Sequence, residues 1–271
     1  MKKPVLVATG VAMIGALLFG SASVRANNGN GNNGNNGGNA GCSGLPSYGD
    51  LKAALQAAQN EANGGFGLEM WATVVNRDGL VCAVAFTGGN RGDQWPGSRV
   101  ISAQKANTAN AFSLPGLALS TANLYSAVQP GGSLFGLQES NPVNTSVAYD
   151  GNAANFGRPS DPMVGGRIGG VNVFGGGLAL YNAQGRLVGG IGVSGDSSCA
   201  DHNIAWRTRN TLGLDNVPAG VSGDAARPDN IVYDITPQPG QMPGVSAGGW
   251  GHPACTPAAT AIAAALPVVP E

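Results

Sequence analysis

Leu51, Ala54, Leu55 and Ala58 fall at the three- and four-residue spacing of a single helical face. A helix is therefore expected from Ser47 to about Ala62, capped by Ser47 or Asp50 and stopped at Gly64-Gly65. The pattern then shortens. Residues 69–76 (EMWATVVN) and 80–87 (LVCAVAFT) read as strands joined by Arg77-Asp78-Gly79, since Asp-Gly supplies the positive φ a tight hairpin turn requires. A Gly-rich loop occupies 88–97. A helix is expected from Ser98, its N-cap, to about Phe112, broken by Pro115-Gly116, and a second short one over about 117–127, ending before Pro130-Gly131. Residues 131–170 show no periodicity and are rich in Gly, Pro, Asn and Ser; a stretch of this length inside a compact domain is an insertion with a binding or interface role. Strands return at 176–182 and 186–193 around Ala183-Gln184-Gly185, followed by a helix over about 198–212. From 215 to 271 the chain is again Pro- and Gly-rich, and its apolar stretch Ala258–Leu266 is too short to span a bilayer. Two hairpins with helices around them predict one α+β domain over 47–214, an antiparallel sheet with helices packed on it.

The N-terminus follows another logic. Lys2 and Lys3 precede an apolar run from Val5 to about Phe19, and Val24 and Ala26 stand where a signal peptidase reads small residues, so residues 1–26 are expected to be a secretory signal. Cys42 lies some twenty polar residues beyond the apolar run, which excludes a lipoprotein box. Residues 27–46 open with NNGNGNNGNNGGNAG, which offers no apolar surface against the entropy of ordering it, and read as a flexible linker. Removal of Lys2, Lys3 and Arg25 leaves 11 of the 14 basic residues against 15 acidic ones, a net charge of −4. Nucleic acid, which calls for a concentrated basic face, is thereby disfavoured as a partner. The four cysteines, Cys42, Cys82, Cys199 and Cys255, contain no CxxC spacing. In a periplasmic or secreted protein they imply two disulfides. Of the three possible pairings, Cys42–Cys82 with Cys199–Cys255 would pin both tails to the core.

Gly190-Ile191-Gly192-Val193-Ser194-Gly195 fits G-x-G-x-x-G between a strand and a helix. A dinucleotide fold needs a further parallel strand after that helix, whereas here the chain runs into the Pro/Gly-rich tail. The same pattern also occurs by chance at Gly29–Gly34. Two readings remain: the turn and the helix N-terminus hold an acidic group of a ligand, or the glycines let the strand pack tightly against a helix.

The run from Gly169-Gly170 through GGLALY and VGGIGVSG to Gly195 resembles the C-terminal signature of the GlcG/HbpS family, also called the haem-degrading domain. Ser98, Ala103, Lys105, Ala106, Thr108, Ala109 and Phe112 are similar to its S…A..KA.TA..F helix; Val74, Val75, Asp78 and Gly79 to its hairpin, with Asn76 in place of the usual acid; and Asp201, Ile204 and Ala205 to its last helix. The resemblance covers about 48–212. It implies a profilin-like sheet with helices, haem or another small molecule as ligand, and a homo-oligomer; the 131–170 insertion and the 215–271 tail lie outside it.

Only two histidines exist, His202 and His252. Haem iron takes His, Met, Cys or Tyr. His202, beside Asp201 at the start of the last helix, is the candidate metal ligand, or an acid/base in an enzyme. Lys105 is the candidate partner for a ligand carboxylate, or one side of a salt bridge; Gly190, Gly192, Ser194 and Gly195 complete the expected cofactor-binding set. Arg91, Arg99, Arg167 and Asp93 lie in or beside loops from which they can reach a pocket or an interface, whereas Trp71 and Trp95 are expected in the core. Neither G-x-S-x-G nor H-E-x-x-H occurs. Adjacent Asp201 and His202 point in different helix directions, against a triad with Ser194. The leading expectation is an exported, non-catalytic haem- or small-ligand-binding protein, with no stable membrane span after processing. A haem-degrading or small-acid-processing enzyme and a ligand-free structural oligomer are the alternatives.

Overall fold

The computed structural model describes residues 40–270; the expected signal segment and most of the linker lie outside the described residues. Helix α1 (Tyr48–Gln59) starts at a reciprocal cap: the Asp50 N–H donates to the Ser47 hydroxyl, and the Ser47 N–H to the Asp50 carboxylate. Leu51, Ala54, Leu55 and Ala58 are its buried face, as the spacing predicts. Strands β1 (Trp71–Asn76) and β2 (Val81–Phe86) form the first hairpin, with Gly79 at φ +72° in the turn. Helix α2 (Ser98–Ala111) carries no side-chain cap; Gly97 before it already has helical backbone, so Ser98 is the first helical residue and not the N-cap expected.

The helix expected over 117–127 is replaced by two short 3-10 turns, Thr121–Leu124 and Ser126–Val128. The Asn123 side chain accepts from both the N–H and the hydroxyl of Ser120 and donates to the Asn230 carbonyl in the tail. Short polar side chains of this kind compete with the helical ladder for backbone groups. The insertion is built from α3 (Leu137–Ser140), α4 (Thr145–Ala148) and a 3-10 turn at Ala153–Asn155. The second hairpin, β3 (Gly177–Tyr181) and β4 (Leu187–Ser194), leads into α5 (Ser198–Thr211), whose N-cap Ser197 accepts from the Ala200 N–H. The tail adds a ribbon, β5 (Ile235–Gln238) with β6 (Gln241–Ser246), and helix α6 (Pro257–Ala264).

The main sheet has order β2-β1-β4-β3 with all pairs antiparallel, so the fold is the expected α+β sheet with packed helices. Every residue of β1 is buried, because both faces are covered. On one side Ala72, Val74, Leu178, Leu180, Ile191 and Val193 share a core with α1, α5 and α6. On the other, Trp71, Val75, Val84 and Phe86 pack with α2 and with Ala148, Met163 and Ile168 of the insertion.

Both extensions are part of this body. Disulfides join Cys42 to Cys82 on β2 and Cys199 on α5 to Cys255 just before α6, the pairing that pins the tails. Asp229 of the tail pairs with Arg209 of α5, both fully buried, at 2.6 Å. The Trp206 indole N–H donates to the Pro267 carbonyl at 2.9 Å. Among the described residues no helix is long and apolar enough to cross a membrane.

Candidate functional site

The glycine turn and the start of α5 are satisfied from within the chain. One Asp201 carboxylate oxygen accepts from the N–H groups of Gly195 (3.1 Å) and Asp196 (2.9 Å); the other accepts from the Lys105 ammonium at 2.7 Å. Lys105 also donates to the Val193 carbonyl at 3.1 Å. The seat expected for a ligand's acid is thus filled by the protein's own carboxylate, and Lys105 serves the salt bridge. Burial pushes the Asp201 carboxyl up to about 6, against the pull of Lys105.

Gly190 and Gly192 face α2. A Cβ at Gly192 would collide with the Ser102 carbonyl oxygen, and one at Gly190 with that of Ala106. These glycines therefore let β4 lie flat under the small residues of α2. Gly195 is closed in by the Glu69 carbonyl and Met70, and Ser194, 4% exposed, is paired in the sheet opposite Trp71.

His202 is fully buried rather than on the helix surface. Its Nε2 lies 3.1 Å from both the Ile231 N–H and the Asn230 side-chain oxygen, and its ring stands 6.1 Å from that of Trp206. Burial holds its pKa down at about 3, so the ring is neutral. Asp201 points to the sheet and His202 to the tail, and Ser194, Asp201 and His202 make no contact of the triad kind among the described residues. His252 is also buried, its ring packed against Tyr125.

An open cavity lies elsewhere, between the 88–97 loop, the start of α2 and the insertion. It measures about 490 Å³. Trp71, Val100, Tyr149 and Phe156 give it apolar and aromatic walls, and Arg91 and Arg99 also line it. Arg99, 2% exposed, is committed to structure: it pairs with Asp161, donates to the Ala148 carbonyl at 2.7 Å and stacks over Phe156 with 3.6 Å from guanidinium carbon to ring centre. The Asp161 carboxylate also takes the N–H groups of Gly157 and Met163. One buried ion pair thereby folds the insertion over the sheet and sets the far wall of the cleft.

Arg91 differs. It is exposed and makes no ion pair or hydrogen bond among the described residues. The loop around it is tied by Asn90 and Asp93, whose carboxylate accepts from the Asn90 backbone and side chain. Asp93 is thus a loop-shaping residue. Arg167 donates to the Asp78 carbonyl and does not line the cleft. Trp71 is core, its indole N–H donating to the Trp95 carbonyl, but Trp95 itself is 53% exposed, contrary to expectation. Tyr149, 63% exposed, and Phe156 were not foreseen as site residues. The only sequence signal for them was that they are two of the three aromatic residues, with Phe135, in a Gly- and Asn-rich insertion.

A sandwiched antiparallel sheet with a Gly-rich fourth strand under an Ala-rich helix defines the class, and the chain belongs to the HbpS-like family: the family model described as haem degrading protein HbpS-like matches residues 47–209. Among solved structures, PduOC in a haem complex is 25% identical over 61% of this chain and 94% of its own, with a TM-score of 0.41. The Klebsiella pneumoniae protein ORFY is 22% identical, covering 62% and 90%, TM-score 0.42. A double mutant of Streptomyces reticuli HbpS is 21% identical, covering 62% and 87%, TM-score 0.40. No curated protein matches the chain.

Proposed function

We propose that this protein is an exported, non-catalytic binder of haem or a similar planar acidic ligand, and that the ligand enters the cleft under the insertion. Family membership supports haem as the ligand class. The cleft carries the reading: it combines flat apolar walls, a free cation and an exposed phenol in one opening. Its volume lies within the range of about 300–1,000 Å³ usual for ligand sites. Haem, when bound, would supply an iron that accepts a phenolate ligand. Tyr149 is the residue to provide it, since both histidines are walled into the core. Arg91 would hold a ligand carboxylate at the rim, where its charge is uncommitted. Arg99 does not bind; it positions Phe156 as a wall. The two disulfides support folding in an oxidising compartment, in the periplasm or outside the cell. Homo-oligomerisation belongs to the same proposal, and light scattering on the mature chain tests it.

A haemin titration of the mature protein tests the binding reading. A saturable Soret shift is expected, weakened in Arg91→Ala and displaced in wavelength or lost in Tyr149→Phe. No shift beyond that of a control protein removes the haem reading. A shift indifferent to both substitutions moves haem out of the cleft.

The family description favours a second reading, haem degradation. His202, proposed as acid/base for such a reaction, is sealed from the cleft and neutral. Bleaching of bound haem under ascorbate and oxygen, with release of iron, would establish turnover; a persistent Soret band would support binding alone.

A further inference from the structure

The two disulfides differ in access. Cys42 and Cys82 are both half-buried. In the other bridge one end is sealed and the other open: Cys199 on α5 is 0% exposed, whereas Cys255 is exposed, in a stretch where Ala254, Pro257 and Ala258 are exposed too. The helix that follows Cys255 is thinly held. Helix α6 buries Ala259 and Ala263, with Ile262 half-buried, and an alanine methyl removes little apolar surface from water. Three hydrogen bonds add to this contact. The Thr256 hydroxyl donates to the Gly64 carbonyl at 2.8 Å, and the Asn203 and Asn230 amides donate to the Ala259 and Ala263 carbonyls at 3.2 and 2.9 Å. Beyond α6 the chain is anchored again, by buried Leu266 and by the Trp206 N–H on the Pro267 carbonyl. A helix of eight residues has little stability of its own in water.

We infer that the Cys199–Cys255 bridge is a reducible latch: a thiol reductant opens it at Cys255 and frees α6 from α5 while the sheet stays folded. Exchange needs access to a sulfur, and exposed disulfides are the labile ones. A thiolate of the reductant attacks the Cys255 sulfur. A mixed disulfide forms, and Cys199 departs as a thiolate that takes up a proton. A second reductant thiolate attacks the reductant's own sulfur in the mixed disulfide. The reductant leaves oxidised as its disulfide, and Cys255 is released as a thiol. Cys199 lies in the first turn of α5, whose partial positive charge offsets part of the cost of a buried thiolate. Once the bridge is open, α6 swings as a flap between two fixed points, His252, whose N–H is bonded to the Val232 carbonyl, and Leu266. Opening takes the Ala263 carbonyl away from Asn230, whose side-chain oxygen lies against His202 Nε2. The latch therefore sets how firmly the tail seals that histidine.

The test exposes the mature protein to rising concentrations of reduced glutathione, blocks free thiols with iodoacetamide and maps the peptides by mass spectrometry. Cys199 and Cys255 are expected to open several-fold faster than Cys42 and Cys82, with the glutathione adduct on Cys255. Hydrogen exchange of the partly reduced protein should rise over 257–264 and stay unchanged in β1 and β4. A protein carrying Cys199→Ala and Cys255→Ser should show the same exchange pattern with no reductant. Opening of both bridges at one rate, or an adduct on Cys199, overturns the inference. So does an α6 that stays protected in the reduced protein or in the double variant, or a loss of protection that spreads to the sheet.

Discussion

The glycine turn with the head of α5, and the cleft beneath the insertion, both place a basic residue near a buried acid, yet only the cleft is open. At the turn, Lys105 and two backbone N–H groups converge on Asp201, and the pocket that the motif suggests is full. At the cleft, the buried pair Arg99–Asp161 acts as a clasp beside the opening, leaving Arg91 and Tyr149 uncommitted. A polar cluster whose every group is paired is a structural element. Chemistry toward a ligand is left to groups that the fold positions but does not satisfy.

The comparison is broken most forcefully by removing one partner of either pair. Lys105→Met leaves Asp201 buried and unpaired and should cost about 3–5 kcal/mol of global stability. Asp161→Ala should cost a similar amount, yet hydrogen exchange should rise first in 145–170 and spare α5. If both variants loosen the same amides, the two regions are not separate units. Replacing Cys199 and Cys255 together, by Ala and Ser, should cost about 2–4 kcal/mol in chemical denaturation. Gly192→Ala forces α2 off β4 and should cost about 1–3 kcal/mol; an unchanged denaturation midpoint would mean that the two elements are not in contact.

Acid should destabilise the sealed side. Below their ordinary value of 6.5, unfolded histidines take up protons that His202 and His252 refuse until about pH 3 and 4. Asp201 works the other way between about 6 and its ordinary 3.8, because its folded carboxyl is protonated first. Two histidines against one carboxyl leave a net loss of stability on acidification from 6 to 4. His252→Gln should lessen that loss; a slope equal to that of the parent protein would contradict the assignment. The smallest effect on stability is expected from Arg91→Ala, which should leave the melting temperature unchanged while weakening haemin binding several-fold in the absorbance titration.

Much of the architecture was legible in the chain. The face of α1, both hairpins and α5 follow from periodicity and turn chemistry, whereas the cysteines were compatible with three pairings, of which the fold selects Cys42–Cys82 with Cys199–Cys255. The 3-10 turns at 121–128 were not, because Asn123 finds its partners in Ser120 and in Asn230, about a hundred residues away in sequence. His202 could not be placed from its helix either: the tail segment around Asn230 and Ile231 covers it. Lys105 and Asp201 were both visible as candidates, but nothing in their separate positions said that they meet.

By itself, the sequence determined the sheet, the helices that flank it and the family, because these rest on local spacing and on residue types that tolerate few alternatives. Only the tertiary structure decided which polar groups are spent on each other and which remain free. That choice depends on burial and on partners brought together from distant segments, so Arg91 and Tyr149 emerged only when the insertion was folded onto the domain.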